Sequence, residues 1–70
     1  MITRLKVARM KKEKFLRTFC DTHRFSYPTL SEVENRYRKI PRAWMRHLAE
    51  VVGQEEKFLF DEEGFARKCD

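Results

Sequence analysis

The sequence predicts an all-α fold, a compact bundle of about five short helices. Three observations carry that expectation. Apolar residues recur at steps of one, three and four rather than two, most clearly at Trp44, Met45, Leu48, Ala49 and Val52. Only two glycines and two prolines punctuate 70 residues, too few for a turn-rich all-β domain. The apolar share of 41% supplies one core and no more, so residues 1–70 read as a single domain. Its core is expected over about 2–60, with an acidic, aromatic tail over 61–70.

The elements follow in order. Residues 2–12 are predicted helical, with Ile2, Leu5, Ala8 and Met10 inward and Arg4, Lys11 and Lys12 outward. Residues 15–23 form a second helix with Phe15, Leu16, Phe19 and Cys20 inward, although Lys14 and Phe15 replace the hydroxyl or carboxylate wanted at its cap. Ser26 is a better cap, and Pro28 falls in a first turn that needs no N–H there, so a third helix spans 26–35 with Leu30 and Val33 inward. Arg36 to Ile40 is loop. Pro41 opens a fourth helix and Gly53 stops it as a left-handed cap. Gln54 to Phe60 makes a short fifth helix with Phe58 and Leu59 inward. No repeat or low-complexity segment interrupts the chain.

Net charge is +5, and its distribution is uneven. Residues 1–24 carry eight Lys/Arg against Glu13 and Asp21, whereas residues 54–70 carry six acids against Lys57, Arg67 and Lys68. A basic body with an acidic tail suits a polyanionic partner. No run approaches the roughly 18 apolar residues of a membrane span, so no membrane partner is expected. Met1-Ile2-Thr3-Arg4 holds no apolar signal core, and a cytoplasmic location is expected.

Cys20 and Cys69 read as free thiols in a reducing compartment, with a disulfide between them left open. Two Cys and two His at 20, 23, 47 and 69 lack the spacing of a metal site. His23 reads as a partly buried, hydrogen-bonded core neighbour rather than a ligand. With no Gly-rich phosphate loop and no nucleophile beside a base, neither an enzyme nor a cofactor or small-molecule ligand is expected.

The most informative stretch is Phe15 to Pro41. Two short helical patterns joined by a tight turn are followed at once by Asn35-Arg36-Tyr37-Arg38-Lys39. A short helix pair followed by positive charge is how a small domain offers one helix to a DNA groove and the next segment to phosphates. Base contact is expected from the exposed positions of the third helix, Tyr27, Pro28, Ser31 and Glu32. Tyr27 offers a hydroxyl or a ring, Pro28 an apolar surface, and Glu32 an acceptor for a cytosine amino group, with a merely solvated charge the alternative for Glu32. Thr29 is expected half-buried. Phosphate contact is expected from Arg17, Ser26, Asn35, Arg36, Tyr37, Arg38, Lys39 and Arg42, helped by the helix starts near Leu16 and Tyr27.

At this point the chain resembles the lambda-repressor-like, or Xre-type, helix-turn-helix regulators. The resemblance rests on Leu5-Lys6-x-x-Arg9, Leu16-Arg17-x-Phe19-Cys20, Phe25-Ser26-x-x-Thr29-Leu30-Ser31-x-Val33-Glu34-Asn35 and Leu48-Ala49-x-x-Val52-Gly53, in order over about residues 4–60. It implies a helix-turn-helix fold and a sequence-specific DNA-binding transcriptional regulator, a small dimeric repressor on a palindromic operator. It also implies phosphate roles for Asn35, Tyr37 and Arg42, and a pair between Arg9 and Glu34 joining the first helix to the end of the third.

The chain departs from the family at four places. Arg24 and Arg36 stand where glycine is usual, at positions that often need a positive φ. Leu16 replaces the polar residue, commonly Gln, that starts the second helix. Pro28 occupies the second reading position. The last two changes remove amides that relatives aim at DNA, so a protein-interaction module on the same fold, antitoxin-like or an accessory regulator, is the alternative. Phe58, Phe60 and Phe65 exceed the needs of so small a core and are expected to pair two copies, setting the reading helices about 34 Å apart. The alternative is a tail folded over its own core.

Overall fold

The computed structural model describes residues 1–69, which build five helices: α1 (Arg4–Lys12), α2 (Leu16–His23), α3 (Tyr27–Glu34), α4 (Arg42–Val52) and α5 (Glu56–Leu59). Among the described residues there is no sheet; two isolated antiparallel bridges, Thr3 with Lys68 and Phe60 with Ala66, are the extended pairings. The radius of gyration is 10.5 Å, close to the roughly 11 Å of a folded domain of this length.

One core holds the helices together. Leu5 and Ala8 of α1, Phe19 and Cys20 of α2, Leu30 and Val33 of α3, Leu48, Ala49 and Val52 of α4 and Leu59 of α5 are all buried in it. Phe25, in the turn between α2 and α3, stacks parallel on Phe19 with ring centres 5.9 Å apart and lies tilted against Trp44 with ring centres 5.1 Å apart. Burial raises the Cys20 thiol pKa, and the nearby Glu34 carboxylate adds to the effect. Cys20 and Cys69 are both free, Cys20 buried and Cys69 exposed.

Several residues expected inward are exposed. In α1 the inward positions are Leu5, Ala8 and Arg9, a single three–four stripe, which leaves Met10 on the opposite side and Ile2 ahead of the helix. Phe15 is 63% exposed because it is the extended residue before α2 rather than its first turn. Phe58 faces out while its neighbour Leu59 is fully buried. The fourth helix starts one residue after Pro41, which serves as its cap.

The charged residue that takes a core position has a partner there. Arg9 and Glu34, 3% and 1% exposed, form a two-pronged pair: Nε to Oε2 at 2.8 Å and Nη2 to Oε1 at 3.0 Å. The remaining Arg9 nitrogen, Nη1, donates to the carbonyls of Glu13 and Lys14 at 3.1 and 2.8 Å. One guanidinium thus ties α1, the turn after it and the last residue of α3. Thr3 repeats the connection with a hydroxyl. Its Oγ1 accepts from the Lys6 N–H, capping α1, and donates to the Glu34 carbonyl at 2.7 Å, closing α3.

Helices α2, α3 and α4 end alike. Each is followed by a left-handed residue, Arg24 (φ 62), Arg36 (φ 64) and Gly53 (φ 73). In each the next N–H reaches back to a helix carbonyl: Phe25 to Cys20, Tyr37 to Glu32 and Gln54 to Ala49. These are Schellman-type stops, for which glycine is preferred because it has no Cβ to crowd the carbonyl. Two of the three use arginine.

The tail does not stand off the body. Asp61 turns the chain: its Oδ1 accepts the N–H groups of Glu63 and Phe65, and its own N–H donates to the Phe65 carbonyl. The chain then returns along Phe60, burying Ala66 completely. Arg67 donates its N–H to the Leu59 carbonyl, and the Arg4 N–H donates to the Arg67 carbonyl. The core therefore extends past residue 60 into the segment read from sequence as a tail. Phe60 is corrected accordingly: at 3% exposure its ring is core and offers nothing to a second copy. Phe65 is half-buried, with Arg36 and Lys39 against its ring at 5.6 and 5.7 Å.

These contacts have measurable consequences. Arg9→Ala should lower unfolding free energy in urea by about 3–5 kcal/mol, because Glu34 stays buried without its counter-charge. The double change Arg9→Met with Glu34→Leu should lower it by much less, and equal losses would show that the pair is not the linchpin. Arg24→Gly should raise stability by about 0.5–1 kcal/mol by relieving the left-handed strain. Arg36→Gly should lower it, since that side chain holds the tail (Nη1 to the Ala66 carbonyl, 2.9 Å). Asp61 has a pH signature. Partial burial opposes its charge, but the N–H groups of Phe65 and Glu63, the Arg36 guanidinium and the Gly64 N–H outweigh that and hold the carboxyl below its ordinary 3.8. Its contribution is present above that value and lost as pH falls through the lowered one. Asp61→Asn should therefore be less stable than the parent at pH 6, with the gap closing in acid denaturation as pH falls through the lowered pKa.

Candidate nucleic-acid interface

The second half of α3 buries Leu30, Val33 and Glu34, so its exposed side carries Tyr27, Pro28 and Glu32, with Ser31 half-buried between them. Thr29 is half-buried, as expected. Each end of that exposed side is held by a cation from another element. At the start, the Arg17 guanidinium of α2 lies over the Tyr27 ring, 4.6 Å from its centre. At the end, Arg38 Nη1 stands 3.6 Å from Glu32 Oε1, both side chains about half exposed. A guanidinium stacked on a ring keeps its charge and its edge donors, so Arg17 remains able to bond phosphate. The Glu32–Arg38 pair is exposed and weak, and either member can be drawn off by a stronger partner.

Around this face the expected phosphate residues divide. Tyr37 (83% exposed), Arg38, Lys39 and Arg42 are open to solvent. Asn35 is half-buried and donates its amide to the Ser31 carbonyl at 2.8 Å, finishing α3. Arg36 is turned into the body: besides Ala66 it faces Asp61 at 3.8 Å and the Phe65 ring. Its left-handed backbone sends the side chain toward the tail while Tyr37 and Arg38 go outward.

The starts of α2, α3 and α4 share a further property. Their caps are Phe15, Ser26 and Pro41, none of which makes a side-chain cap bond, and none of the three first turns holds an acid. Ser26 was expected to cap α3 through its hydroxyl. A cap hydroxyl bonds the second or third helical N–H; Pro28, the second residue of α3, has none, and the Ser26 hydroxyl does not bond the Thr29 N–H either. The uncapped N–H groups and the helix dipole favour an anion at each start, and at α2 the Glu13 carboxylate already stands there, its Oε1 accepting the Phe15 N–H at 3.1 Å.

Sequence reasoning named Arg17 and Tyr27 separately and did not foresee that they touch. The only signal was that both fall at helix starts on either side of one turn. His23 is half-buried with its ring 4.7 Å from Phe19, a packing role. Among the described residues, no group of three or more His, Cys, Asp or Glu could hold a metal ion, and no helix is long and apolar enough to cross a membrane. The chain matches no protein-family model, no curated protein and no solved structure.

Proposed function

We propose that this chain is a sequence-specific DNA-binding regulator of the cytoplasm, a small repressor whose α2, turn and α3 act as a helix-turn-helix. The observation that carries the reading is the exposed side of α3, bracketed by Arg17 on Tyr27 at one end and Arg38 beside Glu32 at the other. In this reading α3 enters the major groove. Tyr27, Pro28, Ser31 and Glu32 meet base edges, and Arg17, Tyr37, Arg38, Lys39 and Arg42 hold phosphates. The bare start of α3, with Ser26 at its head, supplies further phosphate contact, and Asn35 acts by finishing the helix. A palindromic operator and a two-fold pair of copies complete the proposal, with Phe58 as the phenylalanine that keeps an exposed ring for pairing.

A second reading is favoured by one observation: Glu32 and Arg38 occupy each other, which makes part of the α3 face neutral and less suited to a polyanion. On that reading the same face docks a protein.

A duplex library selection followed by titration across salt distinguishes them. About six phosphate contacts give a log–log slope near −5. Arg38→Ala with Lys39→Ala should weaken binding to all sequences and reduce the slope magnitude by about two. Absent binding, or a slope near zero, refutes the DNA reading, and a protein complex untouched by the double change supports the second.

A further inference from the structure

Where the tail lies against the start of α1 and the end of α3, an open cleft of about 340 Å³ is lined by Arg4, Arg36, Asp61, Arg67 and Lys68. That is four cations around one carboxylate among the described residues. The arginines are held in place by the main chain. Arg36 Nη1 donates to the Ala66 carbonyl at 2.9 Å. Arg67 Nε donates to the carbonyls of Lys57 and Phe60 at 2.9 and 3.1 Å, finishing α5. These acceptors are neutral, so the bonds aim the guanidiniums without cancelling their charge. The Arg67 terminal nitrogens and Arg36 Nη2 donate to no hydrogen-bond acceptor among the described residues, and Lys68 is exposed. Asp61 keeps its negative charge and offsets one of the four cations, which leaves three in excess. Its Oδ1 is taken by the N–H groups of Glu63 and Phe65, and its Oδ2 faces Arg36 alone at 3.8 Å.

From this arrangement we infer that the cleft binds a phosphate group through Arg36, Arg67 and Lys68. Forked guanidinium donors match phosphate oxygens two at a time, and a nearby ammonium adds a point charge. The volume lies at the small end of ligand sites and takes a phosphate with a short remainder. The phosphate can come from a free phosphorylated small molecule, which the sequence did not foretell, or from a DNA backbone lying beyond the α3 contact.

The test follows backbone amides of the full chain by NMR during titration with inorganic pyrophosphate, with sodium chloride at matched ionic strength as control, and separately with duplex DNA. The pyrophosphate arm does not depend on the DNA reading. Saturable shifts at Arg36, Ala66, Arg67 and Lys68 are expected. Lys68→Glu, an exposed change, should weaken the binding about tenfold with the amide spectrum otherwise unchanged. Arg67→Gln should do the same and, as the less exposed change, is read alongside its circular dichroism. Pyrophosphate binding with an unaltered DNA salt slope in Lys68→Glu identifies the small-molecule source. Cleft shifts with duplex alone, and a slope magnitude reduced by about one in Lys68→Glu, identify the DNA source. The inference is overturned if neither titrant gives saturable shifts at the cleft, if chloride reproduces them, or if Lys68→Glu leaves both interactions intact.

Discussion

The fold turns on the Arg9–Glu34 pair. Five helices of four to eleven residues cannot hold their arrangement by helix propensity, since isolated helices this short are marginal in water. Apolar packing supplies the attraction but is non-directional, and so small a core can be packed in more than one way. A buried guanidinium with its donors divided between one carboxylate and two carbonyls admits only one placement of α1, the following turn and the end of α3. Its net contribution to stability over an apolar substitute is small or negative, while its contribution to choosing one arrangement is large. Thr3 adds to the same junction by bonding α1's own first turn and the last carbonyl of α3.

The tail makes a second closure on that frame. Its turn at Asp61 is self-contained, built from local side-chain and main-chain bonds. Its position is not: Arg36 from the α3–α4 loop donates to the Ala66 carbonyl, the Arg4 main-chain N–H donates to the Arg67 carbonyl, and Arg67 reaches from the tail to the Lys57 and Phe60 carbonyls. A chain of this length has little surface to bury, and recruiting Phe60 and Ala66 enlarges the core at no cost in length. The same recruitment gathers cations from distant parts of the sequence into one cleft.

Strain and exposure meet at the loop after α3. Arg36 accepts a left-handed backbone that glycine would adopt more easily, and in doing so the chain reverses between α3 and α4 within a few residues. The reversal separates neighbouring cations: Arg36 bonds the tail, Lys39 stays exposed but lies over the Phe65 ring, and Arg38 goes outward to Glu32 beside the exposed Tyr37. The exposed side of α3 then keeps cations at both of its ends while its carboxylate, Glu32, is partly screened by one of them.

Much of this was legible in the sequence. The five helices, the Leu30 and Val33 face of α3, the Leu48–Val52 stripe and the Gly53 stop follow from local rules, because backbone sterics and helical periodicity act over a few residues. The Arg9–Glu34 pair was expected only through the resemblance to a known family, and that resemblance left open whether Arg24 and Arg36, standing where glycine is usual, keep a left-handed backbone, since nothing in the residues alone asks arginine to adopt one. The fate of the long side chains was decided by tertiary structure. Phe60 and Phe58, two residues apart, look alike in sequence, yet the returning tail covers one and leaves the other in water. Arg36 and Arg38 have the same chemistry and go to opposite tasks. A flexible side chain takes its partner from whatever the folded chain brings within reach, and that distance is not encoded by its neighbours along the sequence.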